Sequence, residues 1–299
     1  MKDSLRFDLT TGQKIPEQLV QQYLFMPAQV KMCYLAGVLR NLLDIGGDDD
    51  EEGGKRDKKN SKKKGKKGGY KGGKKGGFQD QDAEVEALLQ KGRDADARGD
   101  SSMGIIIFVG TCRRCQEIAE VLLELGVDCV ALHSMMNQPR RIAALGKFKS
   151  QLSKILVATD VASRGLDIPT VDLVINMDLP KVAVDYVHRI GRTARAGRHG
   201  RSLSLVTQYD VDLVHSIEEY TGSSLELSEE VKEEEIVPLL NPVAKAMRLA
   251  QLKLLEQGFE EQAEVFSNRK KTQADKLRKK KKSQMREEKK EKEKEKGSA

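Results

Sequence analysis

The chain has 299 residues, 38% of them apolar and 4% aromatic, with 53 Lys and Arg against 46 Asp and Glu, a formal charge of +7. Two segments carry the excess: residues 48–77 hold 12 basic against 6 acidic side chains and residues 268–299 hold 15 against 6, which leaves the rest at −8. A uniformly basic fold is thereby excluded, so any nucleic-acid site must be a local patch; apolar runs far below the ~18–20 residues of a membrane span also exclude a helical membrane protein and imply a soluble one.

Residues 1–16 are poorly patterned and form an uncertain leader. Residues 17–45 read as an extended lead-in followed, after Pro27, by a helix with apolar positions from Val30 to Leu43, stopped by Gly46 and Gly47. Residues 46–102 form a low-complexity insert. Its stretch 48–77 is an acidic run followed by Lys and Gly with almost nothing apolar, too little to offset the entropy of ordering, and 78–100 form at most one marginal helix.

The fold resumes with GIIIFVG at 104–110, a buried strand, and an amphipathic helix from Thr111 closed by Gly126. Four more strands follow at 127–133, 154–159, 171–177 and 201–207, with helices near 138–150, 182–189 and 209–221. Such alternation is the mark of an α/β fold, a parallel sheet with helices on both faces, whose ligands sit past the C-terminal strand ends. Residues 223–267 read as a helical extension interrupted around Pro238 and Pro242, and 268–299 as a basic, solvated tail.

Four cysteines without a secretory leader point to reduced thiols in cytosol or nucleus. Cys112 and Cys115 form a C-x-x-C, but no second Cys/His pair lies at ligand spacing. Structural thiols are the expectation, with no metal.

The chemistry concentrates in DYVHRIGRTARAGRHGR at 185–201, where Arg189, Arg192, Arg195, Arg198 and Arg201 recur every three residues among glycines. Glycine permits tight backbone, so the arginines can be aimed from a loop, and guanidinium forks suit phosphate oxygens. The bland alternative is a solvated basic loop. The segment resembles motif VI of the DEAD-box ATP-dependent RNA helicases, usually HRIGRTGRAGR, with Ala194 in place of a glycine. A small-for-small change there should leave the arginines placed.

That resemblance implies a RecA-like C-terminal lobe in which Arg192 and Arg195 act as arginine fingers on the ATP γ-phosphate. ATDVASRGLDIP at 158–169 is similar to motif V. By the same resemblance Asp167 contacts the ATP ribose, Gly165 lets backbone approach, Thr159 touches the RNA backbone, and Arg164 couples the RNA and ATP sites. An Asp after a strand is otherwise a cap or turn residue.

IIIFVGTCRR resembles motif IV, and HSMMNQPRRIAALGKF carries a Q-x-x-R element at Gln138 and Arg141. Thr111, Arg113 and Arg141 are placed on RNA phosphates, and Arg114 and Arg140 are weaker candidates or solvated charges. By the same resemblance His188 links motif VI to the acidic motif of an N-terminal lobe; alone it would be a partly exposed histidine. The lead-in also matches the family, with Gln22, Tyr23, Pro27 and Lys31 in register, so the resemblance covers 17–45 and 103 to about 222.

These 299 residues contain neither G-x-x-x-x-G-K-[ST] nor DEAD. In the family those motifs, with Mg²⁺ and the general base, belong to an N-terminal lobe, so the chain alone is expected not to hydrolyse ATP and to be a truncated gene or one segment of a longer protein. With so few aromatic rings, RNA is expected to be read through backbone and 2′-OH. One reading is an enzyme half that works with an N-terminal lobe in cis or trans; the alternative is a non-catalytic RNA-binding assembly protein. The TAR variant, the HSMM segment and the basic tail suggest pre-ribosomal RNA and a nuclear, nucleolar location, with an import signal in the tail.

Overall fold

The structure, a computed structural model, describes residues 18–43, 103–163, 166–194, 199–268 and 272. The expectations for 1–16 and 46–102, and all but Asn268 and Thr272 of the tail, lie outside the described residues. In chain order the strands are β1 Leu19–Phe25, β2 Ile105–Val109, β3 Val130–Leu132, β4 Ile155–Thr159, β5 Leu173–Asn176, β6 Gly200–Val206 and β7 Glu226–Leu227. The α-helices are α1 Lys31–Leu43, α2 Cys112–Glu124, α3 Gln138–Lys149, α4 Asp160–Ser163, α5 Ala183–Ile190, α6 Val211–Thr221, α7 Glu233–Ile236 and α8 Leu240–Glu256, with residues 259–268 helical beyond them.

All pairings are parallel, in the order β3-β4-β2-β5-β6-β1-β7. From β2 the chain runs out to β3, returns to β4 beside β2, and crosses to β5 on the other side. The C-terminal ends of β2, β4 and β5 therefore border the crevice where an open parallel sheet takes ligands. The apolar run of β2 serves both faces. Ile105, Ile107 and Val109 join a core with α1, α2 and α8, whereas Ile106 and Phe108 join Leu145 and Phe148 of α3 on the opposite face. Each of the β2 side chains is essentially inaccessible, and full burial of one such group stabilises by about 1.5–3 kcal/mol.

Two elements differ from their sequence reading. The extended lead-in is a full strand inside the sheet, paired with β6 from Leu19↔Gly200 to Phe25↔Val206 and with β7 on its other side. Its glutamines hide it from a search for apolar runs, yet both are satisfied: Gln21 donates to Ser223 Oγ (3.0 Å) and accepts from the Tyr186 hydroxyl (3.1 Å), and Gln22 accepts from Arg201 Nε (2.8 Å). In the extension, Pro238 lies in a 3₁₀ turn, Val237–Leu239, but Pro242 does not interrupt α8. It stands in the first turn, where a backbone N–H has no intrahelical acceptor to lose.

The C-terminal helices pack on the sheet's helical layer. Val243, Ala246, Ala250 and Leu254 of α8 are buried at three- and four-residue spacing, one stripe facing the core. Lys253 bonds Glu124 and lies 3.8 Å from Glu120, tying α8 to α2.

Candidate RNA and nucleotide interface

Of the residues assigned by resemblance, Thr111, Gln138, Arg141 and Thr159 gather at the C-terminal ends of the strands. Thr111 follows β2 and caps α2, its Oγ1 accepting Arg114 N–H at 3.2 Å. The hydroxyl proton is left to donate. Arg113 is exposed and ion-paired with Glu260 (2.9 Å). Arg114 pairs with Asp178 (3.2 Å), whose same oxygen accepts Gly110 N–H at 2.9 Å. Arg114 is therefore a brace between the ends of β2 and β5.

On the other side of β2, Asn137 caps α3 and leaves Gln138 exposed at its first position. One turn on, Arg141 Nη2 donates to the carbonyl of Ala162 in α4 (3.1 Å), while its Nε is buried without a partner among the described residues. Thr159, the last residue of β4, has a buried Oγ1 that also lacks one. Two orphaned polar atoms from elements that touch each other are unusual in a folded interior and suit an oxygen-rich ligand.

The five-arginine repeat divides. Arg189 lies in α5, only 2% exposed, and does not face a ligand from a loop. Nε and Nη2 bind both oxygens of Asp160 (2.6 and 2.7 Å), Nη1 donates to Asn176 Oδ1 (3.2 Å) and the Asp178 carbonyl (2.6 Å), and the guanidinium lies 5.1 Å from the Phe108 ring centroid. Arg201 lies in β6, paired bidentately with Glu230 (3.0 and 2.6 Å). The reading of the repeat as arginines aimed from a loop is corrected for these two: each lies in a helix or strand and has its acceptors within the fold.

Arg192 is half-buried in the turn after α5, its carbonyl accepting Val171 N–H at 3.1 Å. Arg192, His188 and Asp160 line one small cleft with Arg189 at its base, and His188 is exposed, 3.9 Å from Asp185. Arg164, Gly165, Arg195 and Arg198 lie outside the described residues. Ala194 has φ of 52°, a left-handed conformation that costs an L-residue roughly 1–2 kcal/mol, so replacing glycine there is not conformationally neutral. A Cβ on Gly200 would meet Thr193 Oγ1 at 2.3 Å and Ala194 N at 2.4 Å, so this turn packs on bare backbone. Asp167 is exposed and held by Lys149 of α3 at 2.6 Å.

Residues 86–197 match the family model described as "Helicase conserved C-terminal domain". The chain is 47% identical over 201 residues to DEAD-box ATP-dependent RNA helicase 36 of Arabidopsis thaliana, which covers 67% of this chain and 40% of that protein. The chain belongs to the DEAD-box family of RNA helicases and carries its C-terminal, RecA-like lobe. Probable ATP-dependent RNA helicase DDX49 of Homo sapiens is 47% identical over 185 residues, 62% of this chain and 37% of that protein. The chain thus spans about 40% or less of the length of these curated relatives. Among solved structures, the E. coli DEAD-box protein SrmB bound to regulator of ribonuclease activity A is 26% identical, covering 73% of this chain and 93% of that one, with a TM-score of 0.48.

Several residues that shape this DEAD-box lobe escaped the sequence reading. Asp160, Asn176 and Asp178 hold Arg189, and only Asp160, next to Thr159 in motif V, carried any local signal. His133 is buried, its Nε2 3.2 Å from Gln116 Oε1 and its ring edge-on to Phe259 with centroids 5.8 Å apart. Burial pushes its pKa down to about 4. Cys115 donates to the Val157 carbonyl (3.2 Å), and burial raises its thiol to about 12, so it carries no thiolate at neutral pH. Among the described residues no cluster of three or more His, Cys, Asp or Glu is placed to hold a metal.

Proposed function

We propose that this chain is the RNA-gripping and ATP-completing lobe of an ATP-dependent RNA helicase, working with an N-terminal RecA-like lobe in cis or trans. The observation that carries the reading is the convergence of Thr111, Gln138, Arg141 and Thr159 on the C-terminal rim of one parallel sheet, with the unpartnered polar atoms of Arg141 and Thr159 among them. In this reading Thr111, Arg113, Gln138, Arg141 and Thr159 bind the RNA backbone. Arg113 exchanges Glu260 for a phosphate.

The residue types suit a nucleotide: an exposed carboxylate at Asp167 for ribose hydroxyls, with Gly165 two positions before it in the chain, and the arginines of motif VI, Arg192 and Arg195, for phosphate oxygens. ATP supplies the phosphoryl group, and the partner lobe supplies the Mg²⁺ ligands and the P-loop. The two arginines offset negative charge as it develops on the transferred group. Arg164 and His188 couple the two sites, His188 from its exposed place on α5 toward the partner lobe. The 299-residue chain by itself turns over no ATP. We place it on pre-ribosomal RNA in the nucleus, in the nucleolus, on the strength of the TAR variant and the basic tail.

The test joins the lobe to an N-terminal partner lobe. Arg195→Ala lowers kcat on the order of a hundredfold or more with RNA affinity nearly preserved, since arginine fingers contribute up to 10³–10⁵. Arg141→Ala weakens RNA binding by ~1–3 kcal/mol, and saturating RNA restores turnover. Equal loss of RNA affinity in both variants with saturated turnover unchanged would overturn the assignment.

A further inference from the structure

Beside the RNA rim lies a groove of about 660 Å³ along the edge strand β3, walled by α2, α3 and the C-terminal segment that follows α8. We propose that this groove receives one nucleotide of the bound single strand, adding a nucleobase site to the backbone track; the proposal rests on the reading of this rim as RNA-binding. The groove lies within the 300–1,000 Å³ of small-ligand sites. Its floor begins where the track ends: Arg140 and Lys147 line it from the helix whose first turn carries Gln138 and Arg141.

Those two cations stand two helical turns apart, roughly 10 Å along the axis, both exposed. Neither forms an ion pair among the described residues. The sequence offered Arg140 only as a weak RNA candidate or a solvated charge; the groove gives it a ligand. On the C-terminal wall of the same groove, Gln262 donates to the Gln257 carbonyl (3.1 Å), and its amide oxygen accepts no hydrogen bond among the described residues. An amide acceptor and two cations on the lining of one groove, with Met135 beside them, suit a ring with polar edges on a phosphodiester, since bases are read through edge hydrogen bonds and apolar faces. The one carboxylate on the wall, Glu120, is engaged by Gln116 (3.0 Å) and Lys253.

The outer wall is a packed part of the fold. Phe259 is buried edge-on to His133, Glu260 reaches Arg113 at 2.9 Å, and Lys253 fastens the preceding helix to Glu124. Continuity with Gln138 and Arg141 and the paired cations favour a nucleic acid over a peptide as occupant.

The full chain, mixed with a fluorescent ten-nucleotide RNA carrying 4-thiouridine, tests this by photo-crosslinking with mass spectrometry and by anisotropy. Crosslinks are expected on the peptides holding Met135 and Gln262, with Arg140→Ala and Lys147→Ala each weakening binding threefold or more and abolishing those crosslinks. Unchanged affinity in both variants together with crosslinks confined to other peptides overturns the groove, as does an acidic decapeptide that binds in its place with Arg140-dependent affinity. Arg141→Ala separates the two levels: if it weakens binding while Arg140→Ala and Lys147→Ala do not, only the groove proposal fails. If it too is silent, the RNA reading of the rim fails with it.

Discussion

Replacing Arg189 by methionine keeps most of the side chain's volume against Phe108 while removing a guanidinium that makes four hydrogen bonds. What remains is the Asp160 carboxylate, the Asn176 amide oxygen and the Asp178 carbonyl, each without its cation. Breaking a buried pair from one side costs about 3–5 kcal/mol, because the surviving charge is left uncompensated. The side chain of Asp160 is 25% exposed, so water recovers part of that, and ~3 kcal/mol is the working figure. For a lobe of this size each kcal/mol shifts the melting temperature by about 2–4 °C, which places the Arg189→Met transition roughly 6–12 °C lower. Urea unfolding of Arg189→Met, Asp160→Asn and the double variant gives the coupling, expected at ~2 kcal/mol or more. A loss under about 1 kcal/mol with additive single effects would refute the structural role and return Arg189 to the pool of phosphate-binding arginines.

Gly200→Ala is expected to cost ~2 kcal/mol or more in urea unfolding, because the new methyl meets the Ala194 backbone as well as the Thr193 hydroxyl, and turning the hydroxyl away leaves the backbone clash in place; a neutral result would mean that the turn relaxes freely. His133 stays neutral in the fold down to about pH 4, whereas the unfolded chain takes up a proton near 6.5. Its contribution to stability is therefore complete above pH 6.5 and is lost as pH falls toward 4, and His133→Gln should flatten that part of a urea-midpoint series from pH 7.5 to 4.5. Glu260→Gln releases Arg113 from an exposed pair worth ~1 kcal/mol at most, so RNA affinity by anisotropy should rise about twofold with unfolding free energy changed by less than 1 kcal/mol; weaker RNA binding would contradict the exchange of Glu260 for phosphate.

Local order in the chain was enough for much of this. The apolar run of β2, the capped starts of α2 and α3 and the alternation of strands with helices each depend on residues a few positions apart, so periodicity and capping chemistry show them directly. Motif order did the same for the family, and the rule that parallel sheets bind ligands at their C-terminal ends placed Thr111, Gln138 and Thr159 on one rim. Partners distant in sequence are a different matter. Gln22 meets Arg201 across 179 positions, Arg189 meets Asp160 across 29, and Arg113 meets Glu260 only because α8 folds back along α2. A repeat of five similar arginines carries no mark of which will be buried, since burial is a property of the neighbours that folding brings. The sequence therefore determined the lobe and its rim. Tertiary packing decided that β1 lies inside the sheet, that Arg189 and Arg201 brace the fold, that Ala194 takes a left-handed conformation, and that the C-terminal helix makes a wall beside α3, because each depends on contacts formed only once the sheet is assembled.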